Sequence, residues 1–234
     1  SEREQEPPSL AISTVIFALR PDPDTGILTL WLPLVRRIRQ PYLDLWALPG
    51  GPLRASESLQ DAAARNLRET TALTPRYLEQ LYAFGGADRS PSPRVVSIVS
   101  WALVQPDEAA LARQDDNVAW FRADKVGTLA FDHNQIVEYA LWRLRNKLEY
   151  GTVAYAFLGS TFTLAQVREV YEAVLGRDLD PANFRRQLQA SVHIEPTEHY
   201  LQGGRHRPPR LYRYTGPDPR DESFPSQRPE ATEH

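Results

Sequence analysis

In the stretch GPLRASESLQDAAARNLRET, the charged side chains Glu57, Arg65 and Glu69 stand at spacings that could serve phosphate chemistry. Glutamates three or four residues apart on a helix share a face and converge on one cluster of hard divalent cations. Such cations take oxygen ligands, neutralise phosphates and orient an attacking water. Here Asn66 and Thr70 stand beside the glutamates and bring no negative charge. Glu57 and Glu69 are therefore weak metal candidates, Mg²⁺ is expected to bind feebly or not at all, and no catalytic residue is assigned.

A second set of residues suits a polyanion. From Pro181 to Thr215 six arginines face two glutamates, an excess of four positive charges in a chain whose formal net charge is −3. A whole-chain sum hides a local basic face of this kind. Asp180-Pro181 reads as an N-cap followed by proline in the first helical turn. In the helix it opens, Phe184 and Leu188 fall at i and i+4 and face a core. That turns Asn183, Arg186 and Gln187 outward, with Arg185 to one side. Arg205, His206, Arg207 and Arg210 surround a glycine-containing tip, QGGRHRPP, between two alternating runs, HIEPTEHYL and RLYRYT. These side chains read base edges or hold the phosphates of double-stranded DNA. A solvated arginine-rich surface is the bland alternative. Lysine occurs only at Lys125 and Lys147, which codon usage in a GC-rich genome explains as readily as selection for arginine forks. Tyr212 and Tyr214 are taken as packing.

The elements that must position these residues follow from periodicity. Strands are predicted at AISTVIFAL (11–19), ILTLWLPLV (27–35) after the turn PDPDTG, a short WAL before Pro49, and VVSIVSWALV (95–104). Ser58-Leu59-Gln60-Asp61 reads as a capping box opening a helix with Leu59, Ala63 and Leu67 on one face. A second helix from near Asp132 carries Ile136, Val137, Ala140, Leu141, Leu144 and Leu148. A third follows the Thr163-x-x-Gln166 box and stops at Gly176. Helix, short turn, helix and hairpin together predict a winged helix-turn-helix.

With 234 residues and 41% apolar composition the chain can fill two modest cores, and its longest apolar runs fall short of a membrane span. The expected division is a tail at 1–8, a sensing domain at 9–149, a DNA-binding domain at 150–215 and a tail at 216–234, both tails being polar and proline-rich. The chain has no cysteine, which removes disulfides and thiolate chemistry and fits the cytoplasm.

The stretch from Gly51 resembles the Nudix box, G-x5-E-x7-R-E-U-x-E-E-x-G-U with U aliphatic. Gly51, Glu57, Arg65, Leu67, Glu69 and Leu73 match in register; Asn66, Thr70 and Ala72 do not. The upstream RRIRQPYLDLWALPGG adds to the likeness, which spans roughly residues 9–145, although Asp44 stands where similar sequences often have glycine. The resemblance implies an α+β fold, an α/β/α Nudix sandwich, with Arg65 paired to a box glutamate. Together with the basic winged helix-turn-helix, the segments LYAFGGADRSPSPRVVSIVSWALV, LAFDHNQIVEYALWRLRNKLEY, FTLAQVREVYEAVLGRDLDPANFRRQL and RPPRLYRY make the chain similar to Nudix-related regulators of NAD metabolism, the NrtR type.

That resemblance implies a homodimeric regulator, usually a repressor, of NAD biosynthesis or salvage genes in the bacterial cytoplasm, associated with the nucleoid. It would release a near-palindromic operator when ADP-ribose or a related nucleotide fills a non-hydrolytic pocket, with no cofactor required. For the ligand's diphosphate the candidates are Arg36, Arg37, Arg89 and Arg94, with Arg37 foremost. Gly50, Gly51, Glu57 and Glu69 belong to the surrounding loop and helix. Trp46 or Phe84 would stack on adenine or else fill the core. His133 either touches ligand or makes a helix-start hydrogen bond. Two further readings remain: an ADP-ribose-type pyrophosphatase with an accessory nucleic-acid-binding domain, and a scaffold binding RNA or an acidic protein.

Overall fold

The computed structural model describes residues 7–75, 77–91, 93–150, 152–203 and 207–218, with only the backbone of Tyr150. At its centre lies β1 (Ser9–Pro21), whose neighbours are parallel β6 (Val95–Val104) and antiparallel β2 (Leu28–Arg36) and β4 (Gly50–Pro52). The sheet continues outward through β3 (Trp46–Ala47) and β7 (Val118–Arg122) on β2, and through β5 (Tyr77–Phe84) on β6.

The run VIFAL in β1 is apolar without interruption because the sheet is covered on both faces. Val15, Phe17 and Leu19 meet α3 (His133–Tyr150), while Ile16 and Ala18 meet Leu67 of α1 (Leu59–Thr71) and Ala109 of α2 (Pro106–Ala110). This is the expected α/β/α sandwich. The expected core residues of α3 are buried apart from the half-buried Leu141. In α1 the prediction needs one correction. Ala63 and Leu67 are sealed, but Leu59 is 39% exposed, because the inward stripe begins one turn later, at Ala62 and Ala63 against Ile12. The Ser58 hydroxyl caps the helix by accepting from the Asp61 N–H at 3.1 Å, and it donates to the Asp61 carboxylate at 2.7 Å.

Beyond a 3-10 turn at Val153–Phe157, α4 (Leu164–Leu175) opens on the Thr163/Gln166 box and ends at Gly176 with φ 68°. Next comes α5 (Pro181–Gln189), capped by Asp180, and then the hairpin of β8 (Ile194–Tyr200) and β9 (Arg210–Tyr214). Phe162 and Tyr212 exchange backbone hydrogen bonds at 2.7 and 3.0 Å. The small core holds Phe162, Val167, Leu188 and Ile194 with Phe184, Tyr212 and Tyr214 against it, so both tyrosines pack as predicted. The opposite face of α4 sends Val170 and Val174 into the cluster built by Leu144, Leu148, Val153 and Phe157. Helix α4 therefore contributes to both clusters, and the partly buried Leu158 and Tyr171 pack against each of them.

Strands β5 and β7, the short β4 and α2, and the 3-10 turn have no counterpart in the periodicity. In β5 a buried Glu79 breaks the apolar pattern; it is held by Lys147 at 2.8 Å, the Trp101 indole at 3.0 Å and the Tyr77 hydroxyl. The expected tails at 1–8 and 216–234 fall largely outside the described residues. Among the described residues, no helix is long and apolar enough to cross a membrane.

Candidate functional site

A cavity of about 380 Å³ opens between the start of β1, the β3–β4 segment, the loop before β6 and the start of α3. Its charged and polar wall comes from Arg37, Arg89 and His133, brought together from three separate segments. Gly50 allows β4 to approach β1, since a Cβ there would lie 2.3 Å from the Ile12 carbonyl oxygen; at Gly51 a Cβ would meet Asn66 Oδ1 at 2.7 Å.

His133 is buried, and its Nδ1 accepts the Leu48 N–H at 2.9 Å. An Nδ1 that accepts carries no proton, so the neutral ring is protonated on Nε2 and offers a donor there. Burial pushes its pKa down to about 4; the Arg89 and Arg37 charges add to the shift, and Asp132 opposes it. Arg89 grips the Asp132 carboxylate through Nε and Nη2 at 2.9 and 2.7 Å with its side chain 5% exposed. Its charge is already answered, so it mainly braces the wall. Arg37 differs. Its Nε donates to the Pro41 carbonyl at 2.7 Å and its guanidinium lies 4.6 Å above the Phe131 ring, with no carboxylate bound among the described residues. Desolvation by burial lowers its pKa.

Phe131 has φ 54°, and Tyr42, whose ring meets it edge-on at 4.8 Å, has φ 63°. Left-handed backbone is costly for aromatic residues, roughly 1–3 kcal/mol each, and clusters at functional sites. Asp44 is also left-handed, φ 68°, which explains why glycine suits that position.

The box surrounds a different constellation. Arg65 holds both Glu57 oxygens, and also reaches Asn66 Oδ1 at 3.1 Å, Glu69 Oε2 at 3.2 Å and the Pro52 carbonyl at 3.2 Å. This is the pairing that the Nudix resemblance implies. The Arg65 hydrogen bonds are the leading cause that lowers the Glu57 pKa. Arg54 lies 3.8 Å from Glu57 and 3.8 Å from Glu69. Asn66 is buried with its Nδ2 unpaired, and the Thr70 hydroxyl donates to the Asn66 carbonyl. Among the described residues no group of three metal-binding side chains assembles. Against the Nudix pattern the donor set is short of two carboxylates, at Asn66 and Thr70, which is a poor fit to a divalent ion.

Of the nominated ligand residues, Arg37, Gly50, Gly51, Arg89 and His133 line the cavity. The others lie elsewhere. Arg36 pairs with Asp44 at 3.1 Å, Arg94 reaches the Gly85 carbonyl at 3.4 Å, Trp46 packs edge-on against Phe121 at 4.9 Å, and Phe84 packs on Tyr139. Sequence reasoning missed Phe131, although it lies in the same AFDH run as His133.

At the other end, Asn183, Arg185, Arg186 and Gln187 are exposed on α5. Arg185, Arg207 and Arg210 line a groove of about 700 Å³ between the start of α4, α5 and the wing, together with Arg168, which the sequence did not single out. Arg210 also donates to the Thr197 carbonyl at 2.7 Å and lies 3.6 Å from Glu198. Arg205 and His206 lie outside the described residues.

Fold and site together define a Nudix sandwich with a cavity beside a box that carries Asn66 and Thr70 at two carboxylate positions, fused to a winged helix. Residues 12–140 match the NUDIX domain family, and residues 154–214 match the NrtR DNA-binding winged helix domain. A relative from Acinetobacter baylyi, described as an ADPR responsive transcriptional repressor, is 32% identical over 224 residues, covering 93% of this chain and 86% of the relative. The crystal structure of Shewanella oneidensis NrtR complexed with a 27mer DNA is 31% identical with a TM-score of 0.74, covering 88% of this chain and 93% of that one. An ADP-ribose pyrophosphatase of Methanocaldococcus jannaschii is 31% identical over 111 residues, covering 47% of this chain and 66% of that enzyme. The chain belongs to the NrtR family of Nudix-related transcriptional regulators.

Proposed function

We infer that this protein is a ligand-responsive, DNA-binding transcriptional regulator, a repressor of NAD biosynthesis or salvage genes that senses ADP-ribose or a related NAD-derived nucleotide. One observation carries the reading: a nucleotide-sized cavity survives beside a box whose remaining carboxylates are held by Arg54 and Arg65. Such a site recognises a nucleotide and leaves it whole, as a sensor requires, since a pocket that destroyed its effector would erase its own signal. The likeness to an ADPR-responsive repressor and to a structure complexed with DNA supports the same reading.

In this reading residues 9–149 sense and residues 150–215 bind DNA. Arg37 and the Nε2–H of His133 meet the ligand, Arg89 braces them, and Arg36, Arg94, Trp46 and Phe84 act through packing and loop support. On DNA, Asn183, Arg186 and Gln187 face base edges, while Arg185, Arg205, His206, Arg207 and Arg210 meet backbone. Two copies related by a two-fold axis would read a near-palindromic operator with half-sites about one or two helical turns apart. Regulation requires that ligand prefer one arrangement of the dimer, since equal affinity for both would shift nothing. The test is fluorescence anisotropy of a palindromic duplex from the chain's own genomic neighbourhood. Saturable binding that ADP-ribose reverses is expected; DNA binding indifferent to every NAD-derived nucleotide would sink the proposal.

The likeness to the archaeal pyrophosphatase and the retained Glu57 and Glu69 favour a second reading, residual hydrolysis of ADP-ribose-like substrates. Release of AMP from ADP-ribose in Mg²⁺ or Mn²⁺, at rates scaling with enzyme, would establish it.

A further inference from the structure

A second recess of about 250 Å³ adjoins the ligand cavity, and Arg37, Ala47, Leu48 and Gly50 belong to both. From α1 it takes Thr70, which stands at a position where the Nudix box has a carboxylate. Three arginines, Arg36, Arg37 and Arg39, line the same recess. Arg36 is shared with Asp44; Arg39 is exposed, its backbone carbonyl accepts from Arg37 Nη2 at 3.4 Å, and among the described residues no hydrogen bond or ion pair holds its guanidinium. The charge pattern of a metal-dependent site is thereby inverted. Carboxylates that would repel a phosphate without their metal are gone from this lining or neutralised by Arg54 and Arg65, and the lining is cationic.

We propose that this recess is a metal-independent diphosphate site, in which Arg39 and Arg37 supply the positive charge that divalent ions supply in a diphosphatase. The proposal rests on reading the adjoining cavity as a nucleotide sensor and adds how the diphosphate is held. With the nucleoside portion in the larger cavity, Arg37 spans the junction and the diphosphate lies toward Arg39 and the Thr70 wall. Planar guanidinium forks bind phosphate oxygens in pairs and need no ion to intervene.

The experiment is calorimetric titration of the full chain with ADP-ribose in EDTA and in excess Mg²⁺, repeated for Arg39→Gln and Arg39→Lys, with thermal melts confirming that both variants fold. The expected result is the same affinity in both buffers to within about twofold, a loss of about tenfold for Arg39→Gln, and partial recovery for Arg39→Lys. Tightening of wild-type binding by more than about tenfold on adding Mg²⁺ would overturn the proposal. So would a folded Arg39→Gln that binds like wild type. Absence of ADP-ribose binding in both buffers would instead overturn the functional reading beneath it.

Discussion

His133 couples the ligand wall to protonation. The folded chain holds its imidazole neutral down to about pH 4, against an ordinary value of 6.5. Between those values the unfolded chain takes up a proton that the fold refuses, so this residue's contribution is complete above about pH 6.5 and fades as pH falls toward 4. The slope reaches about 1.4 kcal/mol per pH unit. Urea midpoints of wild type should therefore fall from about pH 7 to about pH 5 more steeply than those of His133→Asn, whose amide oxygen can still accept the Leu48 N–H. Parallel declines would contradict the assignment. On the DNA side, Arg186→Ala should cost about 1–3 kcal/mol on the operator and little on random duplex, as loss of a base contact does. Arg207→Ala should weaken both duplexes alike and reduce the slope of log affinity against log salt by about one. Anisotropy titrations across salt concentrations separate these outcomes.

Among the elements, α1 offers the cleanest test. It ends at Ala72 in left-handed backbone, φ 60° and ψ 15°, with its N–H on the Arg68 carbonyl. The Nudix pattern has glycine at this position, and the geometry supplies the reason: a Cβ crowds the following carbonyl at positive φ. Ala72 is exposed, so removing its methyl loses little packing. Ala72→Gly should raise unfolding free energy by about 1 kcal/mol, read from urea denaturation. An unchanged or lower value would show that α1 relaxes elsewhere. Periodicity located β1, β2, β6 and α3 because each buries a regular apolar stripe. It passed over β5, where the buried Glu79 depends on Tyr77 of its own strand and on Lys147 and Trp101 from distant segments.

Across the whole molecule, α4 faces two ways. Val167 belongs to the winged-helix core, while Val170 and Val174 enter the core that α3 shares with the sheet. Sensing and DNA-binding halves that share α4 should unfold together, and Val174→Ala should destabilise both by roughly 2 kcal/mol. Coincident transitions of tryptophan fluorescence and of DNA-binding capacity in urea would bear this out; two separated transitions would refute it. Sequence alone determined the box register, the absent carboxylates at Asn66 and Thr70, the helix caps and the exposed face of α5, because these depend on residue type and local spacing. Only the tertiary structure decided that Arg37, Arg89, His133 and Phe131 share one cavity, that Trp46 and Phe84 turn away from it, and that Arg54 stands between Glu57 and Glu69. Those outcomes depend on which distant segments the sheet brings within hydrogen-bonding reach, and local periodicity carries no record of that distance.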